Sequence, residues 1–285
     1  MSAQKIRTIF MGTPEFAVPS LEALLNEVEL IAVVTKPDRP KGRGHKLTPS
    51  PVKTWAVEHN IKVLQPERIK TEEFTAKLEE LKPDLIVVVA FGQILSQKIL
   101  DLPKYGCINV HASLLPRYRG AAPIEWSIIN GENKTGVTTM MMDAGLDTGD
   151  MLIKREVEID ENMILPELHD KLKALGAEAL IETIDKLFAG TLKPQKQDNS
   201  QSNYAPMLTK ETGLIDWNKP ARDIHNLVRG LYGGAYTIIE GQKYKVWRTQ
   251  IVDGKLEILE IQAPNSKKLP FADFLRGHKD FKLSI

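Results

Sequence analysis

A chain of 285 residues, 42% hydrophobic and 26% charged, can bury a sizeable core in one large or two modest domains and is too apolar to be disordered throughout. No apolar run approaches the roughly 20 residues that span a bilayer, and the first residues lack a signal-type apolar segment, so no membrane association or export is expected. The formal net charge of +1 says nothing of partners until its distribution is known, and the single cysteine, Cys107, excludes an intramolecular disulfide framework and fits the cytoplasm.

Continuous apolar runs at residues 6–11, 30–35, 85–91 and 108–110 predict strands buried on both faces. Between them, helical spacing marks Phe16, Leu21, Leu24 and Leu25, then Val52, Trp55, Ala56 and Val57, then Phe74, Leu78 and Leu81. Strands alternating with helices predict a doubly wound, Rossmann-like α/β domain, whose ligands sit at the carboxyl ends of the strands. Further on come two strand-like stretches, 136–142 and 151–159, and a long helix with Leu165, Leu168, Leu172, Leu175, Ala179, Ile184 and Leu187 in register. The polar run through Gln195 and Asn203 reads as a linker. A helix over 221–231 and short β runs at 236–239, 244–247 and 256–261 then predict a smaller β-rich domain. The expected division is 1–190 for the larger domain, 191–206 for the linker and 207–285 for the smaller one.

The chemistry concentrates around Gly106-Cys107-Ile108-Asn109-Val110-His111-Ala112-Ser113-Leu114-Leu115-Pro116. Asn109 and His111, two apart on a strand, leave the same face, and an amide beside an imidazole suits stabilisation of a developing oxyanion. A carboxylate could complete the site, and the glycine-punctuated loop 143–150 offers Asp143, Asp147 and Asp150. Each signal alone is weak, since a histidine at a strand end is more often structural and an acidic loop is more often solvated. The loop lacks calcium-binding spacing, and no cysteine pair or paired histidine suggests zinc, so no metal is expected.

Asn109-x-His111 followed by Ser113-Leu114-Leu115-Pro116, with Leu146-Asp147-Thr148-Gly149 downstream, resembles the signature of the folate-dependent formyltransferases. The resemblance implies 10-formyltetrahydrofolate as formyl donor and an amine as acceptor. By position it implies Asn109, His111 and Asp147 as the catalytic trio, with Ser113, Leu114, Leu115, Pro116, Phe91 and Gly92 around the folate. In that chemistry the amine attacks the formyl carbon, Asn109 and His111 hydrogen-bond the oxyanion, and Asp147 pairs with His111 and helps remove the amine's proton.

The acceptor is suggested by the stretch after the second strand. Residues 36–53 hold six Lys or Arg and one Asp, a net +5 on a chain of total +1. A solvated basic loop is one reading; a loop that reaches phosphates is the other. The stretch resembles the tRNA-inserting loop of the family's branch that formylates initiator methionyl-tRNA, which implies tRNA contacts from Arg39, Lys41, Arg43 and Lys46. Residues 10–17 and 117–124 share that resemblance, and Gly12-Thr13-Pro14 stands where a dinucleotide-binding glycine turn would be. Residues 207–285 carry thirteen Lys or Arg against nine Asp or Glu and suit a tRNA-binding role. Two departures mark this region. Leu231-Tyr232-Gly233-Gly234 replaces the family's Asn-Pro-Trp-Pro turn, and a hairpin's worth of barrel is missing after Val252, so a shortened, OB-like domain is expected. A monomer is expected. The runner-up acceptor is a nucleotide-linked amino sugar, which needs no basic loop; an idle RNA-binding protein and a dehydrogenase fit less well.

Overall fold

The computed structural model describes residues 5–41, 46–279 and 281. A seven-stranded mixed sheet organises the first part of the chain: β1 (Arg7–Gly12), β2 (Glu29–Val34), β3 (Val63–Leu64), β4 (Leu85–Val89), β5 (Cys107–His111), β6 (Lys134–Met141) and β7 (Met151–Glu158), in the spatial order β7-β6-β5-β4-β1-β2-β3. From β3 to β5 all neighbours are parallel, whereas β5 and β6 are antiparallel. The chain winds outward from β1 through β2 to β3, then returns to place β4 on the other side of β1. That reversal makes the carboxyl ends of β1 and β4 the switch point where open α/β sheets form their clefts.

Both faces of the sheet's central strands are dry. Ile9, Met11, Ala32, Val34, Ile86, Val88 and Cys107 share one apolar cluster with Phe74, Leu78 and Ile99 from two covering helices, Glu72–Glu80 and Gln97–Leu100. The alternate residues, among them Phe10, Val33, Val87 and Ile108, are equally buried on the other face. Two-sided burial is why the strands read as unbroken apolar runs rather than alternating ones. The helix Leu165–Phe188 passes that second face, where Gly176 lies against Val110 and Val137 and Thr183 hydrogen-bonds Thr139 at 2.7 Å.

The chain divides into two compact units that interleave along the sequence. One runs through Arg119, Gly136–Glu156 and Asp170–Asn203; the other combines Gly120–Thr135, Val157–His169 and the chain from Tyr204 onward. In the second unit the strands β8 (Tyr236–Ile239), β9 (Gln242–Val252), β10 (Lys255–Gln262) and β11 (Leu269–Pro270) form an antiparallel meander in sequence order. Four strands in a row make an open sheet, the shape expected of a domain lacking a hairpin of its barrel. Its core is Ile215, Ile224, Val228, Ala235 and Val246, with the helix Ala221–Gly230 packed on β9. No helix among the described residues is long and apolar enough to cross a membrane.

Candidate active site

Strand β5 builds the site by alternation. Cys107 belongs to the buried cluster and Asn109 pairs in register with Val88 of that same face, so Cys107, Asn109 and His111 project to one side. Cys107 sits under Ile99 and Leu100, and burial pushes its thiol up to about 12, which makes it inert. Asn109 is half-buried, and among the described residues its side-chain amide has no hydrogen-bonding partner. His111 ends the strand with only 6% of its surface exposed.

The imidazole of His111 lies between two oxygens. Its Nε2 donates to the carbonyl of Tyr118 at 2.8 Å, and its Nδ1 faces Asp147 Oδ2 at 3.6 Å, just beyond hydrogen-bond reach. A carbonyl can only accept, so Nε2 carries hydrogen in either charge state, and any proton gained or lost by the ring is at Nδ1. Both flanking residues have left-handed backbones, Tyr118 at φ +58° and Asp147 at φ +53°, a conformation that costs a non-glycine residue and persists where surrounding contacts enforce it.

The acidic loop resolves into distinct tasks. Because β6 runs against β5, the loop 142–150 leaves beside the amino end of β5, where Met142 N donates to the Cys107 carbonyl, and folds back to bring Asp147 to His111. Asp143 Oδ1 accepts from Gly145 N and Thr148 Oγ1 and so shapes the turn. The Asp150 carbonyl accepts from Met141 N and closes the loop on β6. Gly149 permits the closure, since a Cβ there would overlap the Met141 carbonyl oxygen. Of the three carboxylates, Asp147 is the one the fold aims at the imidazole.

The other predicted residues are placed as follows. Ser113 is fully buried, its hydroxyl donating to the Arg117 carbonyl at 2.6 Å and its carbonyl accepting from Thr138 Oγ1 at 2.7 Å. Leu115 is fully buried against Met140 and Met151, while Leu114 and Pro116 are partly exposed. The Phe91 ring lies in the core and its carbonyl accepts from Thr13 Oγ1, so what Phe91 offers a ligand is backbone. Gly92 is exposed at φ +76°, and a Cβ there would come within 2.5 Å of Lys36 Nζ. The basic stretch forms a short hairpin rather than a plain loop, with Arg39–Lys41 paired to Lys46–Thr48. Arg43 and the side chains of Lys41 and Lys46 lie outside the described residues. Arg39 meets Glu67 at 2.8 Å, both exposed, and Lys53 meets Asp38 at 2.7 Å. Hydrogen bonds from Lys53 and Gln65 hold the Asp38 carboxyl below its usual range, and Glu67, from outside the stretch, answers one charge of its +5 at Arg39. No group of three His, Cys, Asp or Glu poised for a metal occurs among the described residues.

One contributor escaped the sequence. Gln197, in the stretch read as a linker, donates from Nε2 to the carbonyls of Asp147 and Gly149 at 2.8 and 2.7 Å. Nothing in a run of polar residues announces that contact.

Residues 4–184 match the formyl transferase family model, and residues 207–255 match the model of the formyl transferase C-terminal domain. This chain belongs to the formyl transferase family. The methionyl-tRNA formyltransferase of Ruminiclostridium cellulolyticum is 53% identical over 303 residues, covering 96% of this chain and 97% of the relative, and that of Pelobacter propionicus is 54% identical, covering 97% and 94%. Among solved structures, the sugar 3N-formyl transferase WlaRD superposes with a TM-score of 0.67 at 22% identity, covering 93% of this chain and 97% of that one. A methionyl-tRNA formyltransferase from Clostridium thermocellum gives 0.62 at 17% identity, covering 90% and 98%. At such identities the superpositions speak for the fold alone.

Proposed function

We propose that this enzyme transfers the formyl group of 10-formyltetrahydrofolate to the amino group of initiator methionyl-tRNA, giving N-formylmethionyl-tRNA. The observation that carries the chemistry is the His111 imidazole, anchored at Nε2 and facing the Asp147 carboxylate at Nδ1, on the same strand face as the unengaged Asn109 amide. The methionyl-tRNA acceptor rests on full-length relatives at about half identity, whereas the sugar enzymes resemble the chain at about a fifth.

In this reading the amine nitrogen bonds to the formyl carbon and the carbonyl oxygen becomes an oxyanion. Asn109 Nδ2 and His111 Nδ1–H are the donors that meet it. Asp147, facing the same nitrogen, stabilises the imidazolium and takes part in moving the proton from the attacking amine. Collapse breaks the bond from the formyl carbon to N10, which takes up the proton as tetrahydrofolate departs. Leu114, Pro116 and the backbone at Phe91 and Gly92 line the folate, and the buried Ser113 and Leu115 shape that wall from behind. Catalysis is assigned to residues 1–190. Arg39, Lys41, Arg43 and Lys46 of the basic stretch, together with residues 207–285, hold the tRNA. We take the enzyme as a cytoplasmic monomer.

The test is an assay of the purified protein with 10-formyltetrahydrofolate and charged initiator methionyl-tRNA, beside His111→Ala. Formylmethionyl-tRNA made by the parent and lost in the variant is the expected result. Product only with a nucleotide-linked amino sugar would overturn the acceptor assignment.

A further inference from the structure

The segment 195–203 hydrogen-bonds the two residues whose oxygens flank the His111 ring, Asp147 and Tyr118. Gln195 exchanges two backbone hydrogen bonds with Met151, each 2.8 Å, which docks the segment at the start of β7. Gln197 then holds the Asp147 side through its two carbonyl contacts. Its Oε1 accepts from Arg119 Nε at 3.0 Å and Nη2 at 2.7 Å, and Arg119 Nη2 also reaches Asn199 Oδ1 at 2.9 Å. Both donors and both lone pairs of the Gln197 amide are thereby engaged, an arrangement a carboxylate could not reproduce because it has no donors. On the other side, Asn203 Oδ1 accepts from Tyr118 N at 2.5 Å and its carbonyl accepts from Arg119 N at 3.1 Å.

The two residues held this way, Asp147 and Tyr118, are the two whose oxygens flank the imidazole and whose backbones are left-handed. Asp147 is 3.6 Å from Nδ1, close enough that a small slip of its loop changes what that nitrogen faces.

We propose that Gln197, backed by Arg119 and assisted by Asn203, is a positioning residue that fixes the distance between Asp147 and His111 and so sets kcat. The inference rests on the reading of His111 and Asp147 as the reacting pair. What reads in sequence as a connector is then a strap across the active site.

The experiment is a double-mutant cycle on the full chain with Gln197→Met, Asp147→Asn and their combination, measuring kcat and both KM values. Gln197→Met alone is expected to lower kcat about 10- to 100-fold, the scale of an ångström-sized misplacement, with both KM values little changed. In the Asp147→Asn background the same substitution is expected to cost almost nothing, because its target is already gone. An equal loss in both backgrounds, or a loss carried by KM, would show a role in folding or substrate binding and overturn the proposal. An Asp147→Asn variant with full kcat would overturn the underlying reading itself. If Gln197→Met fails to fold, Asn203→Ala goes through the equivalent cycle with His111→Ala, with the same outcomes deciding.

Discussion

Two buried histidines, one in each compact unit, share half of their environment and differ in the other half. His111 and His225 each direct Nε2 to a backbone carbonyl, Tyr118 at 2.8 Å and Glu161 at 3.0 Å. At Nδ1 they part. His225 meets the Thr249 hydroxyl at 2.9 Å, a partner that can donate to it and leaves the ring neutral and fully satisfied. His111 faces the Asp147 carboxylate, which can only accept, at 3.6 Å, just beyond hydrogen-bond reach. Burial holds the His225 pKa below the usual imidazole value, and the nearby cations Arg229 and Arg222 push it the same way. The carbonyl anchor orients both rings; the second neighbour separates them, a hydroxyl that completes the bonding of His225 and a carboxylate that stands off from His111.

The comparison can be broken most directly by activity. His111→Ala should lower kcat about 10²- to 10³-fold, the usual cost of removing one oxyanion donor, whereas His225→Leu should leave kcat unchanged. Matching losses in initial rate for the two variants would erase the distinction. Stability should reverse the order. His225→Leu leaves the buried Thr249 hydroxyl without that partner, a cost of about 1–3 kcal/mol, readable as a lowered midpoint in thermal unfolding.

The pH dependence sharpens the contrast. Folded His225 stays neutral while the unfolded chain binds a proton at the ordinary value of 6.5. The unfolded state thus holds more protons below that point, and the second unit should lose stability as pH falls from about 6.5 toward the lower folded value, and show no such loss above it. Urea titrations at pH 7.5 and 5.5 should reveal the slope in the parent and its loss in His225→Gln. The smallest effect is expected at Arg39, away from both rings. Its exposed pair with Glu67 contributes about 0–1 kcal/mol, so Arg39→Ala should unfold like the parent. The KM for methionyl-tRNA should rise about two- to fivefold, more at low salt than at high salt.

Much of this was legible beforehand because it depends on local periodicity. The apolar runs gave the strands within a residue or two, since burial on both faces leaves no polar alternation to obscure them. The long helix at 165–188 and the helix at 221–230 followed from their spacing in the same way. Short elements were missed: the edge strand Val63–Leu64, too brief for a period to register, and the helices Pro123–Ile129 and Phe271–Gly277. At the site, the two-residue spacing of Asn109 and His111 placed both on one face, and alternation in a strand guarantees that.

The sequence by itself therefore determined the α/β alternation, the shared face of Asn109 and His111 and the candidate carboxylates. Among those carboxylates the family motif had singled out Asp147, but only the tertiary structure shows why it rather than Asp143 or Asp150 meets the ring, because that depends on β6 running against β5 and on the loop folding back along the sheet. The same holds for Gln197 and Asn203. Their hydrogen bonds join residues 50 and 85 positions apart, and such pairings follow from the packing of the chain rather than from any pattern along it.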